Sequence, residues 1–146
     1  MNEQIKPKPE PISLSSLLTP SKTVEIDYPE FEGFTIELTY LAREELLKLR
    51  NRTLKQKFNK KTRAFEETMD EELFLTEYVK AVIKGWKGLK YEYVSQLLLI
   101  DTTNVDLQDE LRHTQENAEL LMKNSGDFDT WVTEVVGDLE NFTRDK

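Results

Sequence analysis

The sequence contains no cysteine, one histidine and only five glycines. Without cysteine the chain has no disulfide, thiolate metal site or cysteine nucleophile, and it does not depend on an oxidising compartment. The glycines form no cluster ahead of a Lys-Ser or Lys-Thr pair, as a phosphate-binding loop requires. These absences argue against thiol chemistry and nucleotide hydrolysis.

Long apolar runs are also missing. The longest, residues 97–100, falls far short of the roughly 20 residues that span a bilayer. The first residues include Glu3 and several prolines, where a signal peptide has a continuous apolar stretch. We therefore expect a soluble protein that stays in the cytoplasm and does not enter the membrane.

The net charge of −8 is distributed unevenly along the chain. Residues 48–63, which we call the basic segment, contain eight basic residues and no acidic one, so the remaining residues together carry −16. This pattern favours polar contact with a protein partner, or with the chain's own acidic half, over a general affinity for nucleic acid. The candidate partner-binding residues are Lys48, Arg50, Arg52, Lys55, Lys57, Lys60, Lys61 and Arg63.

The chain of 146 residues is predicted to form one domain behind a flexible arm. Residues 1–20 hold four of the five prolines and are too polar to order; within them, Leu14, Leu17 and Leu18 form either a short docking segment or part of an inert tail. Residues 21–146 predict a single helical domain. It begins with a β-hairpin over about 23–40, because apolar and polar residues alternate on both sides of a Pro and Gly join.

The rest of the pattern is mainly helical, so the fold class is mainly α, or α+β. The predicted elements are a helix over 41–58, a loop over 59–67, a helix over 68–84 begun by a capping box at Thr68 and Glu71, a turn over 85–88, a short helix or strand over 91–100, a loop over 102–113, a helix over 116–123 capped by Thr114, and a last helix from Asp127 to Phe142.

No group of residues predicts catalysis, a metal site or a cofactor. His113 has no recognisable nucleophile and no second histidine beside it, so we interpret it as a solvated loop residue. The sequence Gly85-Trp-Lys-Gly88 has the form of an RNA-binding GxxG loop, but a helix-ending turn with Trp86 in the core explains it better. The many acidic pairs suit helix capping and solubility, and we expect no enzyme.

The order of these blocks resembles the tail assembly chaperones of long-tailed bacteriophages over about residues 23–142. The resemblance runs through "YLAREELLKLR", "FNKKTR", "VIKGWKGL" and "TQENAELLMKNSGDFDTWVTEVVGDLENF". Its family-motif residues are Trp86, Gly88, Leu89, Glu116, Asn117, Leu121, Trp131, Asn141 and Phe142. The acidic stretch 101–111 departs from the family, where many relatives have a glycine or proline turn.

The resemblance implies a protein of the host cytoplasm that binds and solubilises the tape measure protein, helps recruit tail tube subunits, and leaves before the virion is complete. Such a role fits the physics, because a long amphipathic helix aggregates unless a partner covers its apolar stripe. We also expect a homo-oligomer formed through the exposed side of the hairpin. Two alternatives remain: a structural minor tail or connector protein, and a nucleic-acid-binding regulator that uses the basic segment.

Overall fold

The computed structural model describes residues 10–143, which form an α+β fold rich in helices, as predicted. The residues before 10 and after 143, including the first nine residues of the predicted arm, lie outside the described range. The helices are α1 (Leu14–Leu17), α2 (Arg43–Arg52), α3 (Glu71–Val82), α4 (Tyr91–Leu97), α5 (Gln115–Asn124), α6 (Gly126–Gly137) and α7 (Glu140–Thr143). The strands are β1 (Ser21–Asp27), β2 (Thr35–Leu41), β3 (Leu54–Asn59), β4 (Ala64–Met69) and β5 (Ile83–Lys87).

The predicted N-terminal hairpin is confirmed. Strands β1 and β2 pair antiparallel from Ser21 opposite Leu41 to Asp27 opposite Thr35. Period-two alternation produces this arrangement because it places Ile36 and Leu38 on the buried face of β2. The strand order of this sheet is β1-β2-β5.

The third strand of that sheet corrects a prediction. Residues 85–88 were expected to form a turn that ends a helix, whereas β5 begins at Ile83 and pairs antiparallel with β2, Trp86 lying opposite Ile36. Val82 and Ile83 are adjacent, β-branched and buried, and such residues favour extended backbone beside a sheet. The helix therefore ends at Val82, before the predicted boundary.

The core is one hydrophobic cluster, to which β2, β5 and the helices α3, α5 and α6 contribute most members. The other buried members are Tyr28, Phe31 and Phe34 in the turn of the first hairpin, Leu89 before α4, Val94 in α4 and Phe142 in α7. Burial of each large apolar side chain contributes about 1.5–3 kcal/mol, so the cluster is the main stabilising element of the fold. Its fully buried members include Phe34, Ile36, Leu38, Val79, Val82, Leu89, Ala118, Phe128 and Val132.

Side-chain caps fix where the central helices begin. The backbone N–H of Asn117 donates to the Thr114 hydroxyl over 3.0 Å, which confirms the predicted cap of α5. The predicted capping box at Thr68 is wrong: Asp70 caps α3 by accepting from the N–H of Leu73 over 3.1 Å. Thr68 is paired with Lys55 inside β4, so its backbone is extended and cannot begin a helix.

A second hairpin replaces the predicted helix over 41–58 and loop over 59–67. Helix α2 ends at Arg52, and β3 pairs antiparallel with β4 from Leu54 opposite Met69 to Asn59 opposite Ala64. Leu54 and Phe58 are four residues apart, a spacing that shares one face of a helix and also one face of a strand. The helix ends before Leu54 because Thr53 is the C-cap of α2, and the Thr53 hydroxyl donates to the carbonyl of Arg50 over 2.9 Å. Leu54 and Phe58 therefore belong to a strand.

The remaining predictions are partly confirmed. Residues 91–97 form a helix, one of the two alternatives, and the stretch 98–114 has no helix or strand. The predicted last helix is split at Asp138 into α6 and α7, so that Phe142 belongs to a separate short turn of helix. Every helix within residues 10–143 is too short or too polar to traverse a lipid bilayer.

Candidate protein-binding surfaces

The basic segment is divided among three places in the fold. Its first part lies on α2, its middle on β3, and its last part on the turn between β3 and β4. On α2, the Lys48 ammonium lies 3.7 Å from Glu44 and 3.5 Å from Glu45, and Arg52 lies 3.5 Å from Glu77 of α3. These exposed pairs contribute little to stability, but they partly neutralise the segment at its helical end.

Among residues 10–143, the cations of the segment that form no ion pair therefore lie mainly on the second hairpin, which we call the basic hairpin (residues 54–69). Lys55 and Lys57 lie on one face of it, and its turn carries Lys60, Lys61 and Arg63. Each of these five cations is exposed. Partner binding by the eight basic residues of the segment stays a prediction. Three of the eight lie on the helix α2 and five on the exposed hairpin.

A groove that the sequence did not predict runs between α2, α3 and α6. We call it the central groove; its volume is about 610 Å³. Its floor is apolar, and Phe74 stacks on Tyr78 there with ring centroids 5.6 Å apart. The lining residues are Tyr40, Leu41, Arg43, Leu46, Arg50, Glu71, Phe74, Leu75, Tyr78, Met122, Asp129, Thr133, Val136 and Gly137.

Charged residues of both signs border this apolar floor. Arg43 and Arg50 of α2 face Glu71 of α3 and Asp129 of α6 across the groove, and all four side chains are exposed. The groove is thus open to solvent along its rim. A surface of this kind suits an amphipathic helix, whose apolar stripe is flanked by charges of both signs.

Tyr78 lies at the floor of the central groove and is not poised to ionise. Burial raises the pKa of its phenol, the hydrogen bond with Thr133 lowers it, and the negative charge of Asp129 raises it again. The net shift in the pKa of Tyr78 is upward, so Tyr78 stays neutral near pH 7.

A second groove lies between α3 and α5, and we call it the acidic groove. It has a volume of about 620 Å³, and Leu75 and Leu120 provide its apolar surface. Glu119 is held in place there, because its carboxylate accepts from the Thr76 hydroxyl over 2.6 Å and from the Gln115 amide over 3.1 Å. The other lining residues are Glu72, Glu116 and Lys123.

The first three family-motif residues position the sheet against the long loop. The Trp86 indole N–H donates to the Leu111 carbonyl over 2.9 Å, and Leu89 is fully buried. Gly88 has φ +78, and a Cβ atom there would lie 1.9 Å from the carbonyl oxygen of Gly33 in the turn of the first hairpin. Only glycine permits this approach, so these residues act structurally.

The C-terminal motif residues hold helix ends and core contacts. Leu121 and Phe142 are buried, and the Phe142 ring lies 5.4 Å from that of Tyr40. The Trp131 ring contacts that of Tyr28, with centroids 4.7 Å apart. The polar motif residues contact the backbone or solvent. The Asn117 amide donates to the Arg112 carbonyl, and the Asn141 amide donates to the Val135 carbonyl. Glu116 is exposed on the rim of the acidic groove.

His113 is not the solvated residue that the sequence suggested. Its ring packs edge-on against Trp86 at 4.8 Å, and its Nε2 atom is buried without a hydrogen-bond partner among residues 10–143. Burial lowers the pKa of the imidazole, although the charge of Glu37 opposes this shift. His113 is therefore neutral near pH 7 in the folded chain.

Folding stability should depend on this neutral state. Below the ordinary pKa of 6.5 the unfolded chain takes up a proton that the folded chain resists, so stability is lost as the pH falls through that value. Urea unfolding between about pH 7.5 and about pH 5 should show this loss in the wild type and a smaller loss in His113→Gln. Equal pH dependence in the two proteins would contradict the assignment.

Comparison of the chain with family models, curated proteins and solved structures gives no match. Within the described part of the chain no three acidic or histidine side chains are grouped so that they could hold a metal ion. Open grooves and an exposed hairpin are the features that remain to be explained, and all of them are suited to contact with another polypeptide.

Proposed function

We propose that the protein is a phage tail assembly chaperone whose central groove holds an amphipathic helix of the tape measure protein. The open apolar floor of that groove, bordered by charges of both signs, carries the proposal. The order of sequence blocks shared with tail assembly chaperones supplies the identity of the partner. Binding in this groove covers the apolar stripe of the helix and prevents its aggregation until tail tube subunits assemble around it.

The helices around the groove support a helix as the occupant. Three helices border it, so a fourth can pack against them by interdigitating side chains, as in a bundle. Phe74, Tyr78 and Met122 offer large and adaptable apolar contacts at its floor.

The charge of the protein supports a solubilising role. Outside the basic segment the chain carries −16, and net charge far from zero opposes association between complexes. A tape measure helix coated with such molecules would present an acidic outer surface. The coat would therefore keep an aggregation-prone polypeptide in solution.

Co-expression with the tape measure protein from the same genome tests the proposal. The tape measure protein should be insoluble when produced alone and should be recovered in a soluble complex when the chain is present. Mass spectrometry of purified virions should find no abundant copies of the chain, because the chaperone leaves before maturation. Stoichiometric copies in the virion would support the structural alternative, and failure to form the complex would remove the chaperone function.

A further inference from the structure

Most of the basic hairpin is left uncovered by the other elements within residues 10–143. Residues 54–67 are exposed with the single exception of Asn59, which is half-buried. Two strands alone are marginally stable in water, so contacts within the turn of this ribbon matter for its stability. Asn59 orders the turn, because its side-chain oxygen accepts from the N–H of Lys61 over 2.9 Å and its amide donates to Glu66 over 2.7 Å.

The tip of this hairpin combines two aromatic rings with three cations. Phe58 and Phe65 lie opposite each other, their rings edge to face at 5.5 Å, and 49% and 69% of their surfaces are exposed. The cations, on the turn beside them, are Lys60, Lys61 and Arg63. Aromatic residues and arginine are enriched in protein interfaces, so Phe58, Phe65 and Arg63 are the candidate anchors.

The acidic groove offers the complementary chemistry. Leu120 is 45% exposed there and forms an apolar floor with Leu75. Three carboxylates surround the floor, and one of them, Glu119, is already fixed by hydrogen bonds. The tip and the groove are therefore complementary: each offers two apolar contacts, and the groove, with three carboxylates and Lys123, has a net charge opposite in sign to the three cations of the tip.

We propose that the basic hairpin tip of one copy of this chain docks into the acidic groove of a second copy. The tip does not fill the groove of its own chain, as the exposure of Phe58 and Phe65 demonstrates. Each strand extends about 20 Å from a base where the Asp70 N–H donates to the Thr53 carbonyl, so the tip is held away from the domain.

Such a contact joins two different surfaces, so a bound pair still has one free groove, on the copy that donates its tip, and one free tip, on the copy that donates its groove. Head-to-tail contacts of this kind generate rings or open arrays. The self-association predicted from the sequence would then use the second hairpin, and the β1 edge would not be needed. The contact does not depend on the proposed function, since it requires no other protein.

Sedimentation velocity of the full chain over a wide concentration range tests the proposal. The wild type should form species larger than a dimer as concentration rises. A tip variant, Phe58→Ser with Phe65→Ser, and a groove variant, Glu116→Lys with Leu120→Lys, should each associate at least about tenfold more weakly. Leu99→Ser removes a fully exposed leucine outside both surfaces and should associate like the wild type.

Mixing the two variants distinguishes this contact from a symmetric one. The tip variant keeps an intact groove and the groove variant keeps an intact tip, so an equimolar mixture should form dimers and nothing larger. Circular dichroism checks that both variants keep the wild-type fold. A monomeric wild type, association of either variant at wild-type strength, or the absence of dimers in the mixture would each overturn the proposal.

Discussion

Replacing Gly88 with alanine is expected to lower the free energy of unfolding by at least about 4 kcal/mol, a large part of the roughly 5–15 kcal/mol that stabilises a small domain. The added Cβ would lie 1.9 Å from the carbonyl oxygen and 2.8 Å from the carbonyl carbon of Gly33. Both atoms are backbone, so β5 and the turn of the first hairpin must separate. Urea unfolding followed by tryptophan fluorescence measures the change, since Trp86 lies two residues away.

Two other glycines provide matched controls for this substitution. Gly33 also has a positive φ, +83, but nothing lies within 4 Å of its Cβ position, so Gly33→Ala should cost only the left-handed strain of about 1–2 kcal/mol. Gly137 lies at the end of α6 with open space around it and no positive φ; its replacement should change stability by less than about 1 kcal/mol. Similar losses for Gly88→Ala and Gly33→Ala would refute the close-approach argument.

Elements with one clear periodicity were predictable from the sequence. The first hairpin was predictable because its apolar and polar residues alternate with a period of two, which only a strand satisfies. Helix α5 was predictable from its cap at Thr114 and its buried positions Ala118, Leu121 and Met122. The basic hairpin was missed because Leu54 and Phe58 fit both periods and because Lys-rich strands have low β propensity. Its pairing partner, β4, is equally polar, so neither strand has an apolar face that a core requires.

The binding surfaces were less predictable than the fold. The central groove is lined by residues from β2, α2, α3, α5 and α6. It exists because those helices diverge, and their relative orientation cannot be predicted from a local sequence pattern. The basic segment was visible as a run of charge, but sequence order could not separate the ion-paired residues Lys48 and Arg52 from the exposed cations of the turn. Glu116 was identified from the sequence as a motif residue. Its position in an acidic groove could not be predicted, because the groove forms only where α5 packs on α3.

Two carboxylates placed in the central groove should abolish recovery of the tape measure complex. Thr133 and Gly137 line the groove, are exposed, and lie four residues apart on α6, so Thr133→Glu with Gly137→Glu adds two charges to one apolar wall. A bound helix would have to bury these charges against its apolar stripe, which costs several kcal/mol. Because each 1.4 kcal/mol is a factor of ten, affinity should fall at least about a hundredfold.

The same helix supplies a matched control for that variant. Gly126 and Thr130 are likewise exposed and four residues apart, but neither lines the groove, so Gly126→Glu with Thr130→Glu makes the same chemical change elsewhere on α6. Pull-down of the co-expressed tape measure protein should fail with the first variant and succeed with the second, while circular dichroism and thermal unfolding show both folded. Equal recovery would place the partner on another surface. If neither variant recovers the tape measure protein, the cause would be the added negative charge, because both variants carry that charge and only the first alters the groove.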